Sequence, residues 1–294
     1  MAERGQEMAS AAADAIVVRL HALIGEPQVS EACVRFRLDV LAAQRAARRA
    51  LTSSGSGSLP AGPFPLGPRD IPLPAEILAT LLQAIRVAAA THGRETEEIQ
   101  RLTAAAAADP DVLPILAAAA AFGPDLEALE SLARRWRVYV DALLFIGRVL
   151  AAPCVTEAVQ ARSPDARSFP GEAEAHRCPA CGSSPSIARL RRADGRRLLT
   201  CGLCGGEWEA VRLACACCGT LERTHLGILR LGDADARWVE TCDDCKGYIK
   251  TVDERKLPEG DMVFPVVEET ATLHLDLLAE REGYIRRVPY VLSG

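Results

Sequence analysis

The sequence is poor in the features that would place it in the common functional classes. Aromatic residues make up only 4% of its 294 positions, and it has five histidines. Its net charge is −5, so it lacks the excess of positive charge that gives bulk affinity for a polyanion. The longest apolar runs, 112–122 and 142–147, reach about half of the ~20 residues a membrane-spanning helix needs, so no span is expected. Residues 1–7 (MAERGQE) hold no apolar core and two acids, which argues against a secretory leader and for a cytoplasmic protein. A nucleophile paired with a base is also missing. His21 and His92 lie far apart in sequence and read as surface or hydrogen-bonded histidines, and nothing in the first 170 residues resembles a catalytic constellation. No catalytic residue is assigned, and a non-enzyme is expected.

What the chain does have is cysteine. Eight of its 11 cysteines fall in four C-x-x-C pairs: Cys178 with Cys181, Cys201 with Cys204, Cys215 with Cys218, and Cys242 with Cys245. Random placement of that many cysteines would give roughly 0.4 such pairs in the whole chain. A secreted disulfide scaffold would require a small exported domain, which this is not. A thioredoxin-like redox motif does not come four in tandem without flanking βαβ patterns. Two cysteines three apart in a tight turn present both sulfurs to one ion, and two such turns complete a tetrahedral four-sulfur shell suited to Zn²⁺ or a single iron. Gly182, Gly205 and Gly219 follow their pairs directly and Gly247 follows one residue late. These are positions where a bend with positive φ turns backbone N–H groups toward the thiolates.

The spacers indicate how the pairs combine. A hairpin signal at Ala193-Asp194-Gly195 lies between the first and second pairs, and another at 232–235 between the third and fourth. The economical assignment is sequential, with Cys178, Cys181, Cys201 and Cys204 as one set and Cys215, Cys218, Cys242 and Cys245 as the other; a cross-braced pairing stays open. His176 makes a Cys₃His set conceivable, but the complete four-cysteine sets make it unnecessary. Cys217 is an extra thiol inside the third pair.

The stretches RCPACGSSP, LTCGLCGGEWEAVRLACACC, VETCDDCKGYIKTV and ATLHLDLLAEREGY resemble the FdhE family of formate dehydrogenase accessory proteins over roughly 178–285. Over 1–170 the likeness is only a helical segment of similar length. The resemblance implies a cytoplasmic assembly factor that binds the catalytic subunit of respiratory formate dehydrogenase and carries two rubredoxin-like metal sites. That rubredoxin-like character favours iron over zinc.

The fold class expected is multidomain α+β. An all-α domain (1–170) precedes two small rubredoxin-like or zinc-ribbon metal domains (171–211 and 212–256) and a C-terminal helix and tail (257–294). Helical periodicity is read over 7–24, 30–50, 75–91, 94–108, 111–122 and, as one continuous stripe, 125–151. Cys33, among apolar positions, is expected to be buried. Glycine, serine and proline at 52–74 predict a loop, mobile in its first half, with Phe64, Leu66, Ile71 and Leu73 lying along the helices. A linker is expected at 162–177 and an extended tail from Val288. A helix at about 266–281 should bury Thr270, Leu273, Leu277 and Leu278 on one side.

Ribbons of this size hold too little apolar surface to fold alone, so metal and the aromatics Trp208, Trp238 and Tyr248, packed against the sites, should stabilise them. Arg189, Arg191, Arg192, Arg196 and Arg197 crowd the first hairpin, but no stacking aromatics are interleaved with them. A solvated tip, or a contact to an acidic protein surface, is expected there rather than nucleic-acid binding. Closed four-thiolate shells leave no position for water, so the sites are structural or electron-transferring. An assembly factor for formate dehydrogenase is the favoured reading. A rubredoxin-like electron carrier and a nucleic-acid-binding zinc ribbon are the alternatives, and a homodimer is left open.

Overall fold

The computed structural model describes residues 2–53, 64–94, 96–122, 125–162, 168–169, 176–232 and 235–287. The expected mobile half of the glycine- and serine-rich loop, most of the 162–177 linker and the expected extended tail lie outside them.

Up to residue 162 the described residues form seven α-helices: α1 (Ala2–Ala22), α2 (Glu31–Ser53), α3 (Ala75–Thr91), α4 (Glu97–Ala108), α5 (Val112–Ala121), α6 (Leu126–Trp136) and α7 (Val140–Arg162). The 3–4 spacing of Val34, Val40, Leu41, Ala47 and Leu51 buries one face of α2. Cys33, off that face, is only half-buried, contrary to expectation. Thr96 caps α4 by accepting from the Ile99 N–H (3.5 Å), and Asp125 caps α6 by accepting from the Ala128 N–H (3.0 Å). The stripe expected over 125–151 is two helices, because Arg137 takes a left-handed conformation (φ 55°) and ends α6. The second of them runs on past Pro153 to Arg162, the first residue of the expected linker. α7 is long and apolar enough by composition to cross a membrane, but 72% of its apolar window is buried, and it serves as the central helix of the region.

The remainder is built on an eight-stranded sheet of β1 (Ser168–Phe169), β2 (Pro185–Leu190), β3 (Arg197–Cys201), β4 (Glu207–Ala210), β5 (Leu226–Leu229), β6 (Arg237–Cys242), β7 (Gly247–Asp253) and β8 (Ile285–Arg286). The order is β1-β4-β3-β2-β7-β6-β5, with β8 beside β7. Strands β2–β4 form one antiparallel ribbon and β5–β7 the other. The two join where β2 pairs parallel with β7, Ile187 opposite Lys250 through Leu190 opposite Asp253. That join leaves every residue of β7 buried.

The C-terminal helix is present but broken into α8 (Pro265–Ala271) and α9 (Leu273–Arg281). Thr272 leaves helical geometry (φ −116°, ψ 30°) while its hydroxyl donates to the Glu268 carbonyl at 2.5 Å. The break rotates the buried face. Leu275 and Ala279 pack with Val239 and Tyr248, whereas Leu277, expected inside, is exposed.

The helical and sheet regions share one core. A single apolar cluster runs from Val40 and Leu51 of α2 through α3–α7 to Cys178, Cys181, Cys201, Cys204 and Trp208. Leu66 of the proline-rich loop is buried there, and its N–H donates to the Ala180 carbonyl inside the first cysteine turn (2.8 Å). A second cluster joins α1 and α2 to Phe264, Val266 and Val267.

Candidate metal centres

The eight paired cysteines gather into two groups, Cys178, Cys181, Cys201 and Cys204, and Cys215, Cys218, Cys242 and Cys245. Within each group all four sulfurs lie within 4.8 Å of one another. The grouping is sequential, since each hairpin folds its second knuckle back onto its first. In the first group Cys178 and Cys204 Sγ are 3.7 Å apart and Cys181 and Cys201 Sγ 3.5 Å. In the second, Cys215–Cys245 and Cys218–Cys242 are each 3.8 Å. An ion with metal–sulfur bonds of about 2.3 Å holds tetrahedral ligands about 3.8 Å apart, so both groups are dimensioned for one tetrahedral ion. The separations also exceed the S–S bond length of about 2.05 Å, and all eight cysteines are free thiols.

Each knuckle is a tight turn. The Gly182 N–H donates to the Cys178 carbonyl (2.7 Å) and the Gly219 N–H to that of Cys215 (3.0 Å). Gly182, Gly205 and Gly219 take φ of 67°, 73° and 79°. In the fourth turn the left-handed residue is Lys246 (φ 53°), not Gly247 as the sequence suggested. Gly247 is required for space, since a Cβ there would lie 2.9 Å from Cys217 Sγ. Backbone N–H groups of Leu203, Cys204, Gly206, Cys217, Cys218 and Gly247 point at cysteine sulfurs from 3.3–3.5 Å, an arrangement that favours thiolate. A hydrogen bond from the Cys217 thiol, supported by the N–H groups of Cys218 and Cys217, pulls the Cys215 thiol down to about 4 against the opposing effect of burial.

The two groups differ in setting. All four cysteines of the first are buried, and Trp208 packs in the same cluster. In the second, Cys218 is exposed and Cys245 half-buried. The other two aromatics also have partners away from the sulfurs. Trp238 lies under the Arg230 guanidinium, 4.4 Å from the ring centroid. Tyr248 turns toward α9 and donates to Asp276 Oδ1 (2.9 Å). His176 is not among the gathered ligands and packs on the third knuckle, where a Cβ at Gly219 would lie 2.6 Å from its Nδ1.

The tip of the arginine-rich hairpin is solvated, as expected, with Ala193, Asp194 and Arg196 exposed, but its arginines are paired and form no free basic face. Arg189 pairs with Glu207 (2.9 Å) and Glu254 (2.5 Å), and Arg191 with Asp194. Arg192 donates to the carbonyls of Leu257 and Pro258, and Arg196 pairs with Glu209 (3.0 Å). Arg197 is buried, paired with Glu240 (2.6 Å) and donating to the Ala214 carbonyl (2.9 Å). These arginines tie the first ribbon to itself and to the second.

One residue near the first group escaped the sequence reading. Arg148 of α7 is buried and donates to Ser183 Oγ beside the first knuckle (2.9 Å). Its signal was there to read, as the single charge within the apolar stretch 142–156.

Residues 177–212 match the model of the FdhE central domain, and residues 213–292 that of the FdhE C-terminal domain. An FdhE homolog of Aquifex aeolicus is 35% identical over 112 residues, 37% of this chain and 38% of that protein. Protein FdhE of Escherichia coli is 36% identical over 139 residues, 44% of each chain. The aligned stretches thus span less than half the length of these curated relatives. The crystal structure of the FdhE protein from Pseudomonas aeruginosa overlays 88% of this chain and 95% of that one, at 22% identity and a TM-score of 0.47, too distant a likeness to transfer anything to individual residues. Residues 177–292 thus carry the central and C-terminal domains of the FdhE family.

Proposed function

We propose that this protein is a chaperone-like accessory factor for formate dehydrogenase, binding its catalytic subunit through a surface made jointly by the helical region and the ribbons. Cys178, Cys181, Cys201 and Cys204 would hold one metal ion, and Cys215, Cys218, Cys242 and Cys245 a second; the family's rubredoxin-like character favours iron. The observation that carries this reading is the pair of closed four-sulfur groups, tetrahedral in dimension and built into one sheet that shares its core with the helices. Four thiolates fill the shell and leave no position for substrate, so each ion serves to cross-link two knuckles and, where it is iron, to exchange one electron. The engaged arginines of the first hairpin take away the feature that favoured nucleic acid. The exposure of Cys218 favours a second reading, an electron carrier reached from solvent at the second site.

Affinity capture with the tagged full-length chain tests the proposal. The formate dehydrogenase catalytic subunit should co-purify with the wild type and be lost in Cys178→Ser/Cys181→Ser and in Cys242→Ser/Cys245→Ser. A folded variant of either kind that still captures the subunit would show that the ions do not scaffold recognition. A reversible one-electron couple at both sites, without capture, would favour the carrier.

A further inference from the structure

Arg148 is 6% exposed, on a helix otherwise devoted to apolar packing. Its Nη2 donates to Ser183 Oγ, its Nε has no acceptor, and no carboxylate pairs with it among the described residues. Burial pulls the Arg148 guanidinium below its ordinary value, and the influences that oppose this come from Cys201 and Cys181, both buried members of the first four-cysteine group. A guanidinium taken out of water needs an anion to compensate its lost hydration, and a serine hydroxyl is not one. Four thiolates around a divalent ion leave two negative charges in excess, and around a trivalent ion one. That fixed anion, seated beside Arg148, is the missing partner.

Among the described residues the second group has no buried arginine that lacks a carboxylate partner, and it needs none. Cys218 is exposed and Cys245 half-buried, so water screens its charge. Buried Arg197, which donates to the Ala214 carbonyl beside Cys215, already has Glu240 as its partner, and exposed Arg287 donates to the Cys245 carbonyl.

We propose that Arg148 is the buried counter-cation of the first four-cysteine site, so that a metal ion bound there completes a charge pair that holds α7 against the first knuckle. The inference rests on the reading of that group as a metal site and gives it a consequence: occupancy at the ribbon is felt in the helical region. With the ion absent the fixed anion is gone, Arg148 is left buried without its partner, and the contact between α7 and residues 178–183 loosens. Arg148 acts through the ligands and is a positioning residue, not a ligand.

The test uses the full chain reconstituted with Co²⁺, whose thiolate-to-metal absorption follows release to a chelator, with the phase of the second site identified by its loss in Cys242→Ser. In Arg148→Met, retention at the first site should fall roughly 10- to 100-fold, the usual effect of removing an outer partner, with the second site unchanged. Arg148→Lys, which keeps the charge, should recover most of the loss. Arg148→Gln, which keeps an N–H donor for Ser183 but no charge, should not, and Ser183→Ala should stay within about twofold of wild type. Amide exchange over 143–153 should quicken when Co²⁺ is stripped from the wild type and be insensitive to stripping in Arg148→Met. If Arg148→Met does not fold, the comparison of Lys with Gln decides. Equal retention in those two, or wild-type retention in Arg148→Met, overturns the counter-cation while leaving the metal site standing. A wild-type chain that takes up no Co²⁺ at the first site overturns both.

Discussion

Gln44 of α2 donates from Nε2 to the carbonyl oxygen of Val149 at 3.0 Å, and Val149 is the acceptor that Pro153 leaves without its helical N–H four residues on. This explains how α7 passes through a proline in its buried stretch. Gln44 is itself buried, and its Oε1 has no partner, so its amide is retained for the donor alone. Gln44→Leu should therefore cost about 1–2 kcal/mol with Pro153 present, the net worth of a buried hydrogen bond. In a Pro153→Ala background, where residue 153 supplies its own N–H, the same change should cost close to nothing. Urea denaturation of the four chains measures the coupling; additive effects would mean that Gln44 does not stand in for the lost bond.

Close approach of α5 to α7 supports the same helix. A Cβ at Gly147 would lie 2.6 Å from Ala120 Cβ and 2.9 Å from the Leu116 carbonyl oxygen, so neither side can yield without moving backbone. Gly147→Val should cost about 1–3 kcal/mol through overpacking. Thermal unfolding followed by helical circular dichroism checks it. Gly182→Ala, where no atom crowds the added Cβ but φ is 67°, should cost less and spare the helices.

The knuckles were legible because both sulfurs of a C-x-x-C pair come from one turn, and the hairpins between them already favoured sequential grouping. What the sequence did not show is non-local. Nothing in residues 187–190 or 250–253 marks them as partners, yet the β2–β7 pairing makes the two ribbons one sheet. The hairpin arginines looked like a surface feature because their partners, Glu254 and Glu240 among them, lie about 40–65 residues away. Local breaks misled in both directions. The stripe read from the sequence stops at 151, yet α7 continues through Pro153 because Gln44, 105 residues before Val149, takes up the carbonyl that the proline leaves free. Arg137 and Thr272 break helices with no glycine or proline to announce it.

A buried charge network fastens α8 and α9 to the second ribbon. Lys250 of β7 lies 2.8 Å from Asp276 of α9, and both side chains are 2% exposed. Arg286 bridges Asp276 (2.9 Å) and Glu269 (2.5 Å), and Tyr248 adds its hydroxyl to Asp276. Asp276→Asn keeps the shape but leaves Lys250 and Arg286 with one carboxylate fewer, and should cost about 3–5 kcal/mol. Burial, and then Arg286, already hold the Lys250 ammonium below its ordinary value. The unfolded chain therefore binds that proton more tightly than the folded one. Stability of the variant should rise as pH climbs from the lowered value to the ordinary lysine range, where the unfolded chain also loses the proton. Urea midpoints across alkaline pH read the slope, and a flat profile would show that Lys250 is not the group left uncompensated.

The two four-cysteine groups should give up their ions in a fixed order. A chelator or a proton must reach the sulfurs, and in the second group Cys218 is exposed and Cys245 half-buried, whereas the cysteines of the first are at most 7% exposed. Release from the reconstituted chain should be biphasic, with the fast phase removed by Cys218→Ser and the slow phase by Cys181→Ser. The consequences should differ as well, because the first group lies inside the core shared with α2–α7 and the second does not contribute its cysteines to that cluster. Loss of the fast ion should leave the helical unfolding midpoint close to its starting value, and loss of the slow one should lower it, since metal-binding free energy at a site built into the core is folding free energy. Acidification should follow the same order, because ligation requires thiolates and protons compete with the ion wherever water reaches. Stopped-flow release read beside circular dichroism on the same sample tests both statements; a slow phase that disappears in Cys218→Ser would mean that burial does not set the order.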